Sequence, residues 1–539
     1  MNFNFHSQRF SSQRQVIMGK RGAVATSQPL AAGAGLRMLQ KGGNAFDAAL
    51  ATAAALTVVE PTSNGLGGDC FALFSHGGEI KGLNASGWLP RGYPRDLLQK
   101  KMDSEEKLGP YGWEGVTVPA QIAGWKYIKE NLAELDWTEL LGPAMEFARD
   151  GFPVSPVVAY HWERAVEKYA ENLEGEKRKL FLDCFTEKGE PPSAGEIWRN
   201  QDQAETLKKL AERGVEDFYQ GELADRILTY AERSGGYLAE EDLEKYSPEP
   251  VNPLQIDYRG HKIYELPPNG QGLIALQTLK IISAWKYHDF YDPEENHLTV
   301  EALKQSFADG KKYIGDPQKM KISPARLLED DYIERRRGMI GEKALTPEPA
   351  EIDRSGTVYL AVADDRGNSI SFIQSNFTGF GSGIVIPKTG IALHNRGHNF
   401  VPDSESSNQP APGKKPYHTI IPGFYRSDDG RFEGPFGVMG GFMQPQGHVQ
   451  VIQNMIDYEM NPQEALDAPR WRWQQDKKLL LEPGYSASFA RSLSRRGHEV
   501  EISWQRGGFG RGQIVLADLE EKSIFGASEP RADGQVAIY

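Results

Sequence analysis

The chain has 539 residues, of which 39% are hydrophobic and 25% are charged, a composition that excludes a disordered or collagen-like polypeptide. The net charge of −13 gives no electrostatic reason to bind nucleic acid or an anionic membrane surface, and we expect neither as a partner. Two cysteines, Cys70 and Cys184, are too few for a disulfide framework or a thiolate metal site.

The N-terminal residues are polar and lack the apolar core of a secretory signal. The most apolar stretch, at 45–59, is interrupted by Asp47 and is too short to cross a bilayer. We therefore expect a cytoplasmic protein.

Two helices are predicted near the start of the chain. Residues 29–40 have helical spacing of apolar side chains, and Gly42 and Gly43 end that helix. Asn44 can cap a second, alanine-rich helix that runs to about Val59 and packs closely in a core. A glycine loop at 61–68 follows and leads into a strand. Its spacing matches neither the Walker A nor the dinucleotide-binding motif, so a tight turn is favoured over a phosphate cradle.

The sequence predicts mostly helices over residues 120–246, in the middle of the chain. Residues 256–265 alternate like a single strand, and a helix is predicted from Leu273. Residues 340–355 are polar, carry two prolines and have no apolar period, which is typical of an exposed linker.

A β-hairpin is predicted directly after this linker. Residues 357–362 alternate as a strand, 364–368 form a turn and 369–375 form the second strand. A turn centred on Arg366 places Thr357 opposite Ser375. A helix over 447–458 and a further alternating strand at Val500, Ile502 and Trp504 follow.

Metal and cofactor motifs are absent from the sequence, so we predict neither group. His418 and His448 are isolated in the sequence, which favours structural roles over metal ligation. The GxSxG motif of α/β-hydrolases is also missing.

One arrangement suggests chemistry. The polar linker ends in Ser355-Gly356, and a core strand starts at Thr357. Cleavage between Gly356 and Thr357 would create an N-terminal threonine, whose hydroxyl attacks while its own amine, with a pKa of about 8, accepts the proton. Glycine at 356 offers little steric resistance to attack on its carbonyl. The spacing alone also fits an ordinary threonine at the start of a strand.

Several stretches spread over the chain together form a specific pattern. In chain order they are GAVATSQPLAAGAGLRMLQKGGNAFDAALA, EPTSNGLGGDCFAL, LPPNGQGLIALQTL, FADGKKYIGDP, GTVYLAVADDRGNSISFIQS, FGSGIVIPKTGIALHN, GGFMQPQGHVQVIQNMIDYEMNPQEALDAPRW and GASEPRADG. On these stretches the sequence resembles the gamma-glutamyltransferase family of N-terminal nucleophile hydrolases over nearly its full length.

The resemblance implies an α+β fold, a four-layer αββα sandwich made as an inactive precursor. It implies autocleavage at Gly356–Thr357 into a large subunit, 1–356, and a small subunit, 357–539, which stay together as a heterodimer in one intertwined globular unit. Whether two such heterodimers associate stays open. The family's nucleophile falls on Thr357 and its supporting hydroxyl on Ser375. Its oxyanion-binding pair falls on Gly440 and Gly441, whose N–H groups are not screened by side chains.

The substrate pocket departs from the transferase pattern. Where those enzymes hold the glutamyl ammonium with carboxylates, this chain has NRGHN at 395–399, with Arg396 in their place. A Ser-Ser pair that grips the glutamyl carboxylate is replaced by His418 and Thr419, and a family arginine aligns near Ser86. The predicted substrate-binding residues are Asn376, Asn395, Arg396, Asn399, His418 and Thr419.

These departures resemble the acylase branch of the family, whose members include cephalosporin acylases. There Arg396 and His418 would bind the distal carboxylate of a glutaryl-type acyl group. A structural salt bridge is the alternative for Arg396. We therefore expect an amidohydrolase acting on a small-molecule γ-glutamyl or glutaryl amide, with hydrolysis favoured over transfer because a shortened stretch at 401–415 leaves the pocket open. The alternatives are a true glutathione hydrolase and transpeptidase, or an unprocessed, inactive homologue that binds a metabolite.

Overall fold

Two seven-stranded sheets lie face to face in the computed structural model, which describes residues 14–346, 356–504 and 507–539. Three smaller sheets of two or three strands accompany them in the described part of the chain. The strands of these sheets are β1 Ile17–Gly19, β2 Gly22–Thr26, β3 Asp69–His76, β4 Glu79–Ala85, β5 Phe152–Pro153, β6 Ile197–Trp198, β7 Glu249–Val251, β8 Leu254–Tyr258, β9 His261–Glu265, β10 Gly356–Asp364, β11 Ser369–Phe377, β12 Val385–Ile386, β13 Ile391–Ala392, β14 Gly423–Arg426, β15 Phe432–Met439, β16 Trp471–Gln475, β17 Lys478–Leu481, β18 Glu499–Ile502, β19 Arg511–Asp518, β20 Ser523–Ser528 and β21 Gln535–Ile538.

Helices lie around the two large sheets in the described part of the chain. They are α1 Pro29–Gln40, α2 Ala45–Val59, α3 Arg95–Asp103, α4 Gln121–Asn131, α5 Trp137–Asp150, α6 Pro156–Asn172, α7 Gly175–Phe185, α8 Gln201–Arg213, α9 Asp217–Gln220, α10 Glu222–Ser234, α11 Glu240–Glu244, α12 Gly272–Ile282, α13 Pro293–Tyr313, α14 Asp330–Arg337, α15 Met443–Ile456, α16 Pro462–Asp467 and α17 Ala487–Arg495, with 3₁₀ helices at Pro324–Leu328 and Arg396–Asn399.

The layers follow from which side chains each sheet buries. Sheet I has the order β1-β20-β19-β15-β14-β9-β8, and sheet II has the order β21-β2-β10-β11-β3-β4-β7. An apolar cluster that includes Tyr359, Ile373 and Val515 fills the space between them. Helices α1 and α2 pack on the outer face of sheet II, and α12 and α15 pack on that of sheet I. The predicted four-layer αββα sandwich is confirmed.

The first two helices are confirmed at their predicted bounds. The Asn44 side chain accepts from the N–H groups of Phe46 and Asp47, and the Asp47 carboxylate accepts from the Asn44 N–H, which completes a capping box. Every residue of α2 is buried. Its alanines let the helix lie close against β10 and β11, so the strand that carries Thr357 rests on a rigid support.

Two predicted elements differ from the structure. The single strand predicted over 256–265 is a hairpin of β8 and β9, because Arg259 and Gly260 adopt positive φ of 53° and 87° and turn the chain. The helix predicted from Gly447 begins at Met443. Gly447 lies inside this helix, at the point where the helix crosses β15. A Cβ on Gly447 would lie 2.6 Å from Val438 Cγ1, so glycine allows the close approach of helix and sheet.

Both large sheets contain strands from before and from after the predicted cleavage bond. In sheet II, β10 and β11 lie between β2 and β3, and β21 pairs with β2. A cut at that bond would therefore leave two chains joined by shared sheets. The linker residues 347–355, including Ser355, lie outside the described residues. Among the helices that the structure describes, none is long and apolar enough to cross a membrane.

Candidate active site

The β10–β11 hairpin has the predicted register. Val358 pairs with Gln374, and the pairing continues in the same register to Ala363, which pairs with Ser369. A bulge interrupts the ladder between Gly356 and Val358, so Thr357 lies at an irregular position where the strand is free to present its side chain. The predicted juxtaposition of Thr357 and Ser375 is confirmed, since their hydroxyl oxygens lie 3.3 Å apart.

The Ser375 hydroxyl is held by three hydrogen bonds. It donates to Gly356 O at 2.7 Å and accepts from Thr357 Oγ1 at 3.3 Å and from the Phe377 N–H at 2.8 Å. Because a hydroxyl has one proton and Ser375 gives it to the Gly356 carbonyl, Thr357 must be the donor in their shared bond. The nucleophile candidate and the carbonyl carbon next to it are thus ordered by one side chain.

The backbone at Gly356 lies in a confined position. A Cβ on this residue would lie 3.0 Å from Thr62 O and 3.3 Å from Gly379 N, both backbone atoms. Thr357 itself is fully buried. The glycine predicted to ease attack on its carbonyl is also the residue that this space admits without displacing the backbone.

Gly440 and Gly441 form a turn between β15 and α15. Their φ angles are 138° and 61°, and a Cβ on Gly440 would lie 3.2 Å from Gly510 Cα. The carbonyl of Gly440 accepts from the Met443 N–H at the start of α15. Among the described residues, neither glycine N–H has a hydrogen-bond partner, so both donors are available for a developing oxyanion.

One cleft of about 520 Å³ joins these parts, since both Gly356 and Gly440 line it. Its lining carries charges of both signs. Arg472 lines it, and its Nη1 donates to Gly508 O at 3.1 Å. Arg164 and Lys168 of α6 also line it, beside two carboxylates of the same helix.

Asp69 is the centre of a buried polar cluster that the sequence analysis missed. It pairs with Ser375 across β3 and β11, which puts the two side chains on the same face of sheet II. Its Oδ2 lies 2.9 Å from His418 Nε2, 3.2 Å from His394 Nδ1 and 3.8 Å from Arg396 Nε. All four side chains are fully buried. The nearby histidines hold the pKa of the Asp69 carboxyl well below its usual range, against the opposing effect of burial.

Arg396 has structural contacts on several sides, and its predicted role in binding the substrate carboxylate stays a prediction. Its Nη1 donates to Thr419 Oγ1 at 2.8 Å, and its guanidinium carbon lies 4.5 Å from the centre of the Phe377 ring. Burial lowers its pKa to about 9, against the opposing charge of Asp69. Its Nε and Nη2 have no hydrogen-bond partner among the described residues, although both are buried. A buried guanidinium with unused donors suits an anionic or carbonyl ligand.

His418 is part of this cluster, and its predicted contact with the substrate carboxylate stays a prediction. Burial lowers its pKa to about 3, and the Arg396 charge acts in the same direction. The neutral ring donates from Nε2 to Asp69, so it orients that carboxylate and carries no charge for a substrate. His448, the other isolated histidine, contacts buried Glu265 at 2.6 Å from its Nδ1.

The three predicted asparagines lie around the cluster. Asn376 is on the face of sheet II that packs against α2, opposite to Ser375, and a Cβ on Gly65 would lie 3.0 Å from its Nδ2. The Asn395 amide bonds to the backbone of Pro110 and Thr378. Asn399 Nδ2 donates to the carbonyl of Tyr417. The amides of Asn395 and Asn399 hold loops, whereas both amide atoms of Asn376 are buried without a hydrogen-bond partner among the described residues. A substrate-binding role for the three asparagines stays a prediction.

One group in the described residues has metal-ligand spacing. Donor atoms of His297, Glu301 and His498 lie within 4.8 Å of one another. However, the Glu301 carboxylate accepts from Lys304 Nζ at 2.7 Å, and His297 Nδ1 lies 2.8 Å from His498 Nε2. The ammonium group already supplies the positive charge there, so we interpret this group as a structural network.

The family assignment follows from comparison with known proteins. The sequence profile described as gamma-glutamyltranspeptidase matches residues 31–539. This chain belongs to the gamma-glutamyltranspeptidase family. It is an enzyme of that family, whose members include autoprocessed proenzymes, acylases and glutathione hydrolases.

Three relatives of this gamma-glutamyltranspeptidase family member span nearly its whole length. A crystal structure of cephalosporin acylase from Bacillus halodurans is 48% identical with a TM-score of 0.96, covering 100% of this chain and 99% of that one. The glutathione hydrolase-like YwrD proenzyme of Bacillus subtilis (strain 168) is 35% identical, covering 96% of this chain and 98% of its own. The oxamate amidohydrolase proenzyme of Klebsiella pneumoniae is 31% identical, covering 96% and 98%.

Proposed function

We propose that this protein is an autoprocessed N-terminal threonine amidohydrolase that cleaves amides of acyl groups with a terminal carboxylate, of the glutaryl or γ-glutamyl type. The observation that carries the proposal is the hydrogen-bonded unit of Gly356, Thr357 and Ser375 at the start of a buried strand. The proenzyme names of several relatives support processing.

In the precursor, Thr357 Oγ1 attacks the carbonyl carbon of Gly356, whose oxygen already accepts a hydrogen bond from the Ser375 hydroxyl. A C–O ester bond forms, the C–N bond between the two residues breaks, and the hydroxyl proton ends on the Thr357 nitrogen. Water then hydrolyses the ester, which leaves a carboxylate on Gly356 and a free amine and hydroxyl on Thr357.

In the mature enzyme, the Thr357 amine accepts the proton of its own hydroxyl as that oxygen attacks a substrate amide. The tetrahedral oxyanion accepts from the free N–H groups of Gly440 and Gly441. The proton passes to the leaving amine, and water releases the acyl group by the same steps.

The terminal carboxylate of the acyl group is the ligand we assign to Arg396, through its unused Nη2. Phe377 pairs with Gly356 and also packs against this guanidinium, so the arginine lies near the reacting carbonyl. Thr419 and Asp69 hold the guanidinium from two other sides. The acylase name of the 48% identical relative supports an acyl substrate of this kind.

The name of the Bacillus subtilis relative favours a second candidate, a glutathione hydrolase and transpeptidase. A γ-glutamyl group carries an α-ammonium, which needs an acidic partner. Within the described cluster the carboxylate beside Arg396 is Asp69, whose oxygens already accept from His418 and the Gly87 N–H. This favours an acyl group without an ammonium. An inactive homologue is disfavoured by the intact nucleophile, its serine partner and the free glycine donors.

The test is hydrolysis of glutaryl-, γ-glutamyl- and butyryl-4-nitroanilide by the cleaved protein, with Thr357→Ala as the inactive control. We expect the glutaryl amide to be cleaved fastest and the butyryl amide, which lacks the carboxylate, slowest. Addition of a dipeptide acceptor measures transfer, and we expect acid release to exceed acyl-dipeptide formation. Faster γ-glutamyl cleavage with efficient transfer would favour the transpeptidase, and no turnover of any amide would contradict the proposal.

A further inference from the structure

Gln271 lies immediately before α12, in the PPNGQG stretch, and is fully buried between two loops of the site. Its Nε2 donates to Thr419 O at 2.6 Å and to Gly441 O at 2.8 Å. Its Oε1 accepts from the Tyr417 hydroxyl at 2.9 Å. One amide group therefore uses both of its donors and its acceptor within the site.

The two carbonyls belong to different functional parts. Gly441 is one of the two oxyanion glycines, and Thr419 is the residue whose hydroxyl holds Arg396. We propose that Gln271 is a positioning residue that fixes the oxyanion turn relative to the pocket for the acyl carboxylate. This inference rests on the proposed function of those two parts.

The glycine turn needs such a restraint. Glycine has more backbone freedom than any other residue, so a Gly-Gly turn left to itself does not hold its N–H groups in one direction. The Gly440 carbonyl is fixed by the Met443 N–H, and the Gly441 carbonyl accepts from both the Gln444 N–H and Gln271. The Gly441 N–H lies in the peptide plane of the Gly440 carbonyl, which the Met443 N–H fixes. The bond from Gln271 fixes the next plane, and so restrains the backbone of Gly441 and the position of the turn relative to Thr419.

Tyr417 fixes which way the Gln271 amide points. Its hydroxyl needs an acceptor, and burial raises the pKa of this phenol, so it stays a donor at neutral pH. With the amide oxygen turned to Tyr417, the nitrogen faces the two carbonyls. A flip of the amide would set its oxygen against two carbonyl oxygens and leave Tyr417 without an acceptor.

The experiment compares Gln271→Leu, Gln271→Glu and Tyr417→Phe with the wild-type enzyme on glutaryl-4-nitroanilide. The matched control is Gln450→Leu. Gln450 is also buried, its Nε2 donates to the carbonyls of Gln446 and Trp471, and its Oε1 accepts from the Trp471 N–H. Each variant is isolated in its cleaved form, and its melting temperature is measured.

We expect Gln271→Leu to lower kcat about 10- to 100-fold, the range for misplaced catalytic donors, with KM changed less than about threefold. Binding of 4-boronobutanoic acid, whose tetrahedral boronate places an oxygen at the oxyanion position, should weaken by the same factor as kcat/KM. Tyr417→Phe should lower kcat by a smaller factor. Gln450→Leu should leave both quantities near wild type even if its melting temperature falls equally.

The pH dependence of kcat in Gln271→Glu separates a positioning role from a purely structural one, because loss of a structural contact alone would not change that dependence. Its ionised carboxylate has no donor for the two carbonyls, whereas the protonated acid has one. The ratio of its kcat to that of the wild type should therefore rise as the pH is lowered. A flat ratio, or a loss in Gln271→Leu no larger than in Gln450→Leu, overturns the inference. Absence of wild-type turnover would instead contradict the proposed function.

Discussion

The hydroxyl oxygens of Thr357 and Ser375 lie 3.3 Å apart across the β10–β11 hairpin, with Thr357 as the donor. The direction of this bond is fixed because the Ser375 hydroxyl already donates its one hydrogen bond to the carbonyl of Gly356. In the proposed autocleavage, Ser375 would thus polarise the Gly356 carbonyl and accept a hydrogen bond from the attacking hydroxyl of Thr357.

Replacing Ser375 with alanine should slow autocleavage about 100-fold, the scale for loss of one donor to a developing oxyanion. The measurement is a time course of the two fragments on a denaturing gel after refolding. Ser371→Ala is the control, because Ser371 lies on the same buried strand and bonds to Tyr359 instead. Equal cleavage rates in the two variants would remove Ser375 from the reaction.

Replacing Gly356 with alanine should slow or block cleavage, because the added Cβ meets Thr62 O at 3.0 Å and Gly379 N at 3.3 Å. The scissile peptide must then shift relative to Thr357. Gly341→Ala is the matched change upstream, since a Cβ there meets nothing within 4 Å. Both variants are followed by the same gel assay. Normal cleavage in Gly356→Ala would mean that the confined space does not orient the bond.

Replacing Arg396 with lysine or glutamine should lower kcat/KM for glutaryl-4-nitroanilide about 10- to 100-fold, as expected for loss of a charged hydrogen bond. Turnover of the butyryl amide, which offers no carboxylate, should change by less than about threefold. Arg91→Gln is the control, because this exposed arginine stacks over Trp88 and lies outside the cluster. A parallel loss with both amides would assign Arg396 a structural role alone.

Acid should destabilise the fold through His418. Its pKa in the native state is about 3, against an ordinary value of 6.5, because burial opposes its charged form. Between these values the unfolded chain binds a proton that the native protein does not, so the free energy of unfolding falls as the pH is lowered. His418→Gln keeps an N–H donor for Asp69 but does not titrate. Denaturant unfolding from pH 6.5 to 4.5 should show a slope smaller by up to about 1.4 kcal/mol per pH unit.

An unchanged slope in His418→Gln would mean that this histidine is protonated in the native protein. Other histidines should keep part of the acid sensitivity in the variant, since burial also lowers the pKa of His498 to about 3. The comparison therefore rests on the difference between the two slopes.

Local patterns predicted the parts of the fold that depend on local physics. The cap at Asn44, the glycines after Gln40 and the turn around Arg366 fixed helix bounds and a hairpin register. The split of residues 256–265 into β8 and β9 was missed, although Gly260 in the middle of an alternating run was a signal for a turn.

The sequence predicted only some of the residues that form the candidate site. Strand alternation predicts that Asn376 lies on the face opposite to Ser375, as it does in the structure. Asp69, His394 and Gln271 gain their roles from contacts between distant segments, such as the 2.9 Å contact of Asp69 with His418. The pattern of residues along one strand or helix does not contain such contacts.

The most direct test of this account is N-terminal sequencing and intact mass measurement of purified, active protein, beside Thr357→Ala. We expect two fragments that correspond to 1–356 and 357–539, with the smaller one beginning Thr-Val-Tyr-Leu, and a single uncleaved chain of 60.0 kDa for the variant. Amide hydrolysis by wild-type protein whose backbone is continuous through Gly356–Thr357 would contradict it.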